Sequence, residues 1–154
     1  MRASKKPDFV LFVQVSKLDW NMPVAQREAQ SEVILVVDDE LIIREVVRTV
    51  LEASGYRVID AGTAKEALGI LRNGTAVGLL ISDVLMPEIN GIELAEDARR
   101  LRPDMPILFV SGYWDRFEHS ADGFECVQKP FAPAELVSKI RELLKGSNEV
   151  KTRR

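Results

Sequence analysis

Short apolar runs alternate with longer amphipathic stretches from Glu32 onward. A continuous apolar run is typical of a strand that is covered on both faces. Such runs are VILVV (33–37), VGLLIS (77–82) and PILFV (106–110), and two shorter stretches, YRVID (56–60) and FECVQ (124–128), complete five predicted strands.

Between these strands, apolar residues recur at helical spacing. The predicted helices are LIIREVVRTVLEAS (41–54), AKEALGILRN (64–73), GIELAEDARRLR (91–102), a weak WDRFEHSA (114–121) and APAELVSKIRELL (132–144). Gly55 and Pro103 follow helices as stop signals, Thr63 is a candidate N-cap, and Pro133 suits a first helical turn.

Five successive β-α units predict an α/β fold with a doubly wound parallel sheet. Strands that are joined by helices run parallel, and their right-handed crossovers place helices on both faces of the sheet. Ligands of such sheets bind outside the carboxyl ends of the strands. The residues that follow each strand are therefore the candidates for chemistry.

The composition is that of a globular protein, with 154 residues, 46% hydrophobic and 29% charged. Charge is distributed unevenly: between Ser31 and Gly146 there are 13 Lys and Arg against 20 Asp and Glu, while the two flanks together are basic. An acidic folded region argues against nucleic-acid binding.

Cys126 is the only cysteine, so no intramolecular disulfide can form, and a cytoplasmic location is expected. The apolar run Phe9–Val13 is too short to span a membrane, and no membrane association is expected. Residues 1–30 form an unassigned N-terminal extension, in which DFVLFVQV (8–15) could be an extra strand.

Charged or hydroxyl side chains end all five predicted strands. Asp38 and Asp39 follow the first strand, Asp83 the third, Ser111 the fourth and Lys129 the fifth, whereas Asp60 on an outer strand should lie apart. Two carboxylates about 5 Å apart repel by roughly 3 kcal/mol at an effective dielectric of about 20. A divalent cation would relieve this repulsion, and oxygen ligands without His or Cys favour Mg²⁺.

Four segments, ILVVDDE, LLISDVLMPEINGIEL, PILFVSGY and VQKPF, together resemble the receiver domain of two-component response regulators. The resemblance implies a flavodoxin-like strand order of 2-1-3-4-5 and a receiver domain over residues 31–146, with a C-terminal tail at 147–154. It implies that Asp83 accepts a phosphoryl group from the phosphohistidine of a histidine kinase.

The resemblance also assigns the residues around Asp83. Asp39, Asp83 and the backbone carbonyl of Leu85 would ligate Mg²⁺, with Asp38 acting through a bound water. Ser111 and Lys129 would hold the phosphoryl oxygens. A cis peptide bond is implied between Lys129 and Pro130.

The chain is accordingly expected to be a stand-alone receiver, not an enzyme, that assists its own phosphorylation and dephosphorylation. Its expected partners are a sensor histidine kinase or histidine phosphotransfer protein and an unknown downstream protein, reached by contact or phosphorelay. The sequence leaves open whether the chain forms a homodimer and which kinase it serves.

Several positions depart from the family pattern. Asn90-Gly91 replaces the usual Asp-Gly, and either pair suits a turn into a helix. Cys126 stands where receivers commonly have an aromatic residue that changes rotamer on phosphorylation. Tyr113, Trp114 or Phe124 could substitute for it. His119, the only histidine, is expected to be a surface residue.

Two alternatives remain open at this point. A phosphatase of the haloacid dehalogenase type also phosphorylates an aspartate, but it requires Asp-x-Asp after the first strand. A receiver-like interaction module that carries no phosphate would be expected to lack the equivalents of Asp83 or Lys129. Dinucleotide binding is excluded because no G-x-G-x-x-G follows the first strand.

Overall fold

The computed structural model describes residues 32–119, 121 and 123–153. Its five strands are β1 (Val33–Val37), β2 (Arg57–Ala61), β3 (Leu79–Ser82), β4 (Ile107–Ser111) and β5 (Glu125–Gln128). All pairings are parallel, in the order β2-β1-β3-β4-β5. The predicted doubly wound, flavodoxin-like sheet is therefore confirmed. The N-terminal extension, with its candidate extra strand, lies outside the described residues.

The helices are α1 (Leu41–Ala53), α2 (Ala64–Arg72), α3 (Gly91–Leu101) and α4 (Pro133–Thr152). Two predicted boundary signals are confirmed. Gly55, directly after α1, has φ 92°, a conformation that glycine adopts at least cost. The Thr63 hydroxyl caps α2 by accepting a hydrogen bond from the Glu66 amide at 3.1 Å.

Within the described residues, no helix combines the length and the apolar character needed to cross a membrane.

The sheet carries a hydrophobic core on each face. Leu35 and Val37 of β1 point to one face, where they join residues of α2 and α3. Ile34 and Val36 point to the other, where they join residues of α1 and α4. Each fully buried aliphatic side chain stabilises the fold by about 1.5–3 kcal/mol. Packing on both faces holds the strands, and so the loops at their carboxyl ends, in fixed positions.

The connection between β4 and β5 differs from the sequence prediction. Within its described residues it contains a 3₁₀ turn, Trp114–Arg116, without a side-chain cap, where a helix over residues 114–121 was predicted. The Phe109 ring contacts Trp114 and Phe124, with centroids 5.6 and 5.3 Å apart. A stretch of eight residues is too short to be stable as a helix on its own, so these aromatic contacts decide its conformation.

The last helix also differs from the prediction, because it continues to Thr152 instead of ending near Leu144. The expected tail at 147–154 is therefore helical over its first six residues. The Ser147 hydroxyl donates to the Asp104 carbonyl at 3.1 Å, which ties the extension to the domain. Gly146 weakens the helix by about 1 kcal/mol but does not break it.

One strained residue lies in the β3–α3 loop. The exposed Glu88 has φ 67°, a left-handed conformation that non-glycine residues adopt at a cost of about 1–2 kcal/mol. Asn tolerates this region better. We expect Glu88→Asn to stabilise the protein by about 0.5–1 kcal/mol in urea unfolding. Glu88→Ala, which removes the same side chain but keeps the strain, is the control; an equal gain there would rule out backbone strain as the cause.

Candidate functional site

The carboxyl ends of four adjacent strands bring the predicted site residues to one edge of the sheet. The β1–α1 loop supplies Asp38 and Asp39, the β3–α3 loop supplies Asp83, β4 ends in Ser111, and Lys129 directly follows β5. Because these strands run parallel, their ends meet without any further turn of the chain. Positions far apart in sequence thus form one site.

The three aspartates form a compact acidic cluster. One carboxylate oxygen from each of Asp38, Asp39 and Asp83 lies within 4.8 Å of the others. Asp38 is buried, Asp83 is half-buried and Asp39 is exposed, so the cluster opens to solvent on the Asp39 side. A hard, oxygen-only donor set of this kind fits Mg²⁺, which keeps part of its water shell.

Lys129 partly neutralises the acidic cluster. Its ammonium lies 3.0 Å from Asp38 Oδ2 and 3.3 Å from Asp83 Oδ2. Burial alone would lower the pKa of Lys129, but the charges of Asp38 and Asp83 raise it above its ordinary value. The lysine is therefore a fixed cation at neutral pH. The implied cis peptide bond between Lys129 and Pro130 is present.

The surroundings of Asp38 disfavour its ionised form. Burial raises its pKa, and this effect outweighs the Lys129 charge and the hydrogen bond that the Glu40 amide donates to Oδ1 at 2.9 Å. Asp83 raises the pKa of Asp38 further. Burial is thus the main reason why the ionised form of Asp38 is unfavourable, and the Asp83 charge adds a smaller contribution.

The Asp83 backbone is fixed by the start of α3. The Asp83 side chain accepts a hydrogen bond at Oδ1 from the Val84 amide, at 2.6 Å. The Gly91 amide donates to the Val84 carbonyl at 2.8 Å, and a Cβ on Gly91 would lie only 1.9 Å from the Asp83 carbonyl oxygen. Asn90 caps α3 through Oδ1, which accepts from the Ile92 and Glu93 amides. Asn90-Gly91 therefore has the expected structural role, and the need for glycine is steric.

Ser111 and Leu85 are the two remaining residues that the sequence assigned to the site. Ser111 is fully buried, and its hydroxyl oxygen accepts a hydrogen bond from the Tyr113 amide at 3.2 Å. Its proton remains available for donation. Leu85 follows Asp83 by two residues and has an exposed side chain. The role of its carbonyl as a metal ligand stays a prediction.

Cys126 is half-buried near the site. Burial raises the pKa of its thiol to about 11, so it is protonated at neutral pH, and its Sγ donates to the Val127 carbonyl at 3.4 Å. This environment agrees with a packing role.

Of the aromatic candidates, Trp114 and Phe124 pack on Phe109 whereas Tyr113 is exposed. His119 is exposed, as predicted.

Asp60 lies outside the acidic cluster, as expected, but its partners were not predicted from the sequence. Arg44 and Arg48 of α1 both bind its carboxylate. Burial would raise the pKa of Asp60, but the hydrogen bonds from the two arginines hold it below its ordinary value. Their spacing of four residues, which places both on one side of a helix next to β2, was the available signal.

The raised pKa of Asp38 predicts a pH-dependent gain from removing its charge. Above its ordinary pKa of 3.8 the ionised form costs free energy in the folded state, and this cost is lost as the pH falls toward that value. Asp38→Asn should therefore be more stable than wild type at pH 7 without divalent cations, and the difference should shrink near pH 4. Urea unfolding in EDTA measures this.

Asp97, whose side chain is 38% exposed, gives a matched control for that measurement. Asp97→Asn removes a partly exposed carboxylate of α3 that is paired with Arg100, so its stability should stay within about 1 kcal/mol of wild type. If Asp38→Asn proves less stable than wild type at pH 7, burial of the Asp38 charge is not a net cost to the fold.

Known proteins resemble this chain in both sequence and structure. Response regulator SaeR from Staphylococcus aureus is 32% identical over 117 residues, which cover 72% of this chain and 50% of SaeR; the chain thus spans half the length of that relative. A CheY-like receiver domain protein from Methanospirillum hungatei superposes with a TM-score of 0.71 at 34% identity, covering 77% of this chain and 98% of that one.

A third similar protein was solved with ligands. Response regulator TrrA from Thermotoga maritima, in complex with Mg(2+)-BeF, superposes with a TM-score of 0.65 at 35% identity, covering 73% of this chain and 98% of that one. Residues 34–141 match the response regulator receiver domain as a family. This chain belongs to the receiver domain family of two-component response regulators.

Proposed function

We propose that the chain is a phosphoacceptor that receives a phosphoryl group on Asp83 from a histidine kinase phosphohistidine in a Mg²⁺-dependent reaction. The observation that carries this proposal is the placement of the half-buried Asp83 carboxylate beside two further aspartates and 3.3 Å from the Lys129 ammonium. Such a site combines a nucleophile with fixed positive charge for an anionic group.

The chemistry requires few additional groups. An Asp83 oxygen attacks phosphorus, the bond from phosphorus to the donor imidazole nitrogen breaks, and its electron pair stays on that nitrogen. Phosphoryl transfer depends mainly on positioning and charge neutralisation. Lys129 and the Ser111 hydroxyl would bind the transferred oxygens, and Lys129 has a fixed charge for this purpose.

A bound Mg²⁺ would supply the charge neutralisation that the lysine alone does not. Asp39, Asp83 and the Leu85 carbonyl would hold it directly, with Asp38 acting through a water. The oxygen-only acidic cluster supports this assignment, and so does the similar TrrA, which was solved in complex with Mg(2+)-BeF.

Under this proposal the chain is its own substrate and not an enzyme acting on another molecule. It assists the formation and hydrolysis of its own acyl phosphate, so the modification is temporary. We propose a sensor histidine kinase or histidine phosphotransfer protein as donor, a downstream protein as receiver of the signal, and a cytoplasmic location. The single cysteine, which cannot form an intramolecular disulfide, is consistent with a reducing compartment.

Phosphorylation can be tested with acetyl phosphate and Mg²⁺. We expect intact mass to show one added phosphoryl group in wild type and none in Asp83→Asn, because the amide is not a nucleophile for this reaction. Asp97→Asn, on the solvated side of α3, should be phosphorylated like wild type. A wild-type chain that takes up no phosphate would favour the receiver-like interaction module, and uptake that persists in Asp83→Asn would place the acceptor elsewhere.

Metal binding can be tested separately by thermal melts. Binding to the native state alone adds about 1.4 kcal/mol of stability at a Mg²⁺ concentration ten times Kd. We expect the melting temperature to rise with Mg²⁺ in wild type and in Asp97→Asn but to stay constant in Asp39→Ala. Asp39 is chosen because it is the exposed member of the cluster. Equal shifts in all three proteins would locate the metal outside this site.

A further inference from the structure

Two arginines on α1 share one carboxylate at the neighbouring edge strand. Arg44 Nε donates to Asp60 Oδ2 at 2.9 Å, and Arg48 Nη2 donates to Asp60 Oδ1. Asp60 lies in β2, which pairs directly with β1. The trio therefore connects α1 to the sheet beside the loop that carries the acidic pair.

Only one of these arginines reaches that loop. Arg44 Nη1 donates to the backbone carbonyl of Asp38 at 2.7 Å. Arg48 instead donates to the Val58 carbonyl and to Glu52 on its own helix. The Arg44 side chain is 15% exposed, against 34% for Arg48, so the contact to the loop is the more enclosed of the two.

The surroundings of Arg44 are shaped for a guanidinium group. Its planar fork reaches two acceptors at once, the Asp60 carboxylate and the Asp38 carbonyl, which a lysine ammonium on a single stem would not match. A Cβ on Gly62 would lie 3.3 Å from Arg44 Nη1, so a side chain there would crowd the group. The loop has other supports, because the Asp38 amide donates to the Ala61 carbonyl at 3.3 Å and Lys129 binds the Asp38 carboxylate. The N-cap Glu40 makes no side-chain cap, and Arg44 is the side chain that binds the Asp38 carbonyl.

We propose that Arg44 is a positioning residue for the acidic site. By tying the Asp38 carbonyl to Asp60 of β2, it fixes the loop in which Asp38 and Asp39 repel each other and Asp83. The loop is thereby held in the arrangement that receives the metal before the metal binds. This inference rests on the proposed function, since it names the role of Arg44 toward the same site.

Electrostatics alone predicts the opposite effect of removing this residue. Arg44 is a cation near the acidic cluster and therefore repels other cations. On charge alone, its loss should strengthen the attraction between the cluster and a divalent cation. If positioning dominates, its loss weakens binding. Mutation of groups that orient metal ligands typically weakens metal affinity by about 10–100-fold. The sign of the change in Mg²⁺ affinity therefore separates positioning from simple charge.

The experiment compares Arg44→Met with Arg48→Met in the full chain. Both remove one guanidinium that binds Asp60, but only the first breaks the contact to Asp38. We expect Arg44→Met to raise the Mg²⁺ dissociation constant about 10-fold. In the metal-free protein it should also accelerate amide exchange at Glu40 and Ile43, whose amides bond within the loop. Arg48→Met should change neither the Mg²⁺ dissociation constant nor the exchange rates of these amides by more than about two-fold. In both variants, exchange of the Val36 amide in β1 measures global unfolding.

Arg44→Lys provides a second variant that keeps the charge. If Arg44→Met does not fold, faster amide exchange in the loop and weaker Mg²⁺ binding in Arg44→Lys would support the proposal. Lysine keeps the positive charge and loses only the planar guanidinium that binds two acceptors at once. Exchange and affinity equal to those of Arg48→Met, or tighter Mg²⁺ binding without Arg44, would overturn it. The exchange measurement needs no metal or phosphate, so it decides the role of Arg44 even if wild type binds no Mg²⁺ and the proposed function fails.

Discussion

The charge balance between Lys129 and the aspartates is the constraint on which the rest of this edge of the sheet depends. One ammonium faces Asp38 and Asp83, while Asp39 lies within the same cluster. A single positive charge cannot compensate three carboxylates, and burial raises the pKa of Asp38 in spite of the nearby Lys129 ammonium. The fold therefore maintains an acidic cluster with an excess of carboxylates over ammonium groups, which is the arrangement that the proposed Mg²⁺ binding requires.

Rigid supports are needed because repelling groups would otherwise move apart. The two-sided core fixes the strand ends. Asp83 is fixed further by Gly91, where no room exists for a Cβ, and the Asp38 carbonyl is bound by Arg44. Gly91 and Arg44 act on the backbone, whereas the carboxylates of Asp38 and Asp83 are oriented by hydrogen bonds from Lys129 and from the amides of Glu40 and Val84.

Sequence patterns predicted the parts of the structure that depend on local periodicity. The strands, the helices α1 to α3 and the meeting of Asp83 with Lys129 follow from apolar spacing and from the geometry of a parallel sheet. The contacts of Arg44 were not predicted, because they depend on the tilt of α1 against β2. The 3₁₀ turn at Trp114 was also missed, since ring packing on Phe109 outweighed a weak helical pattern.

The connection from β4 to β5 begins at the buried hydroxyl of Ser111. Ser111 Oγ accepts from the Tyr113 amide and still has a proton to donate. The orientation of that proton and the position of the Tyr113 backbone are thus coupled through one oxygen. Cys126, with its small protonated thiol, adds no ring to this region. Because a connection with a single short turn has less local stability than a packed helix, the residues after Ser111 would respond first to a change at the hydroxyl.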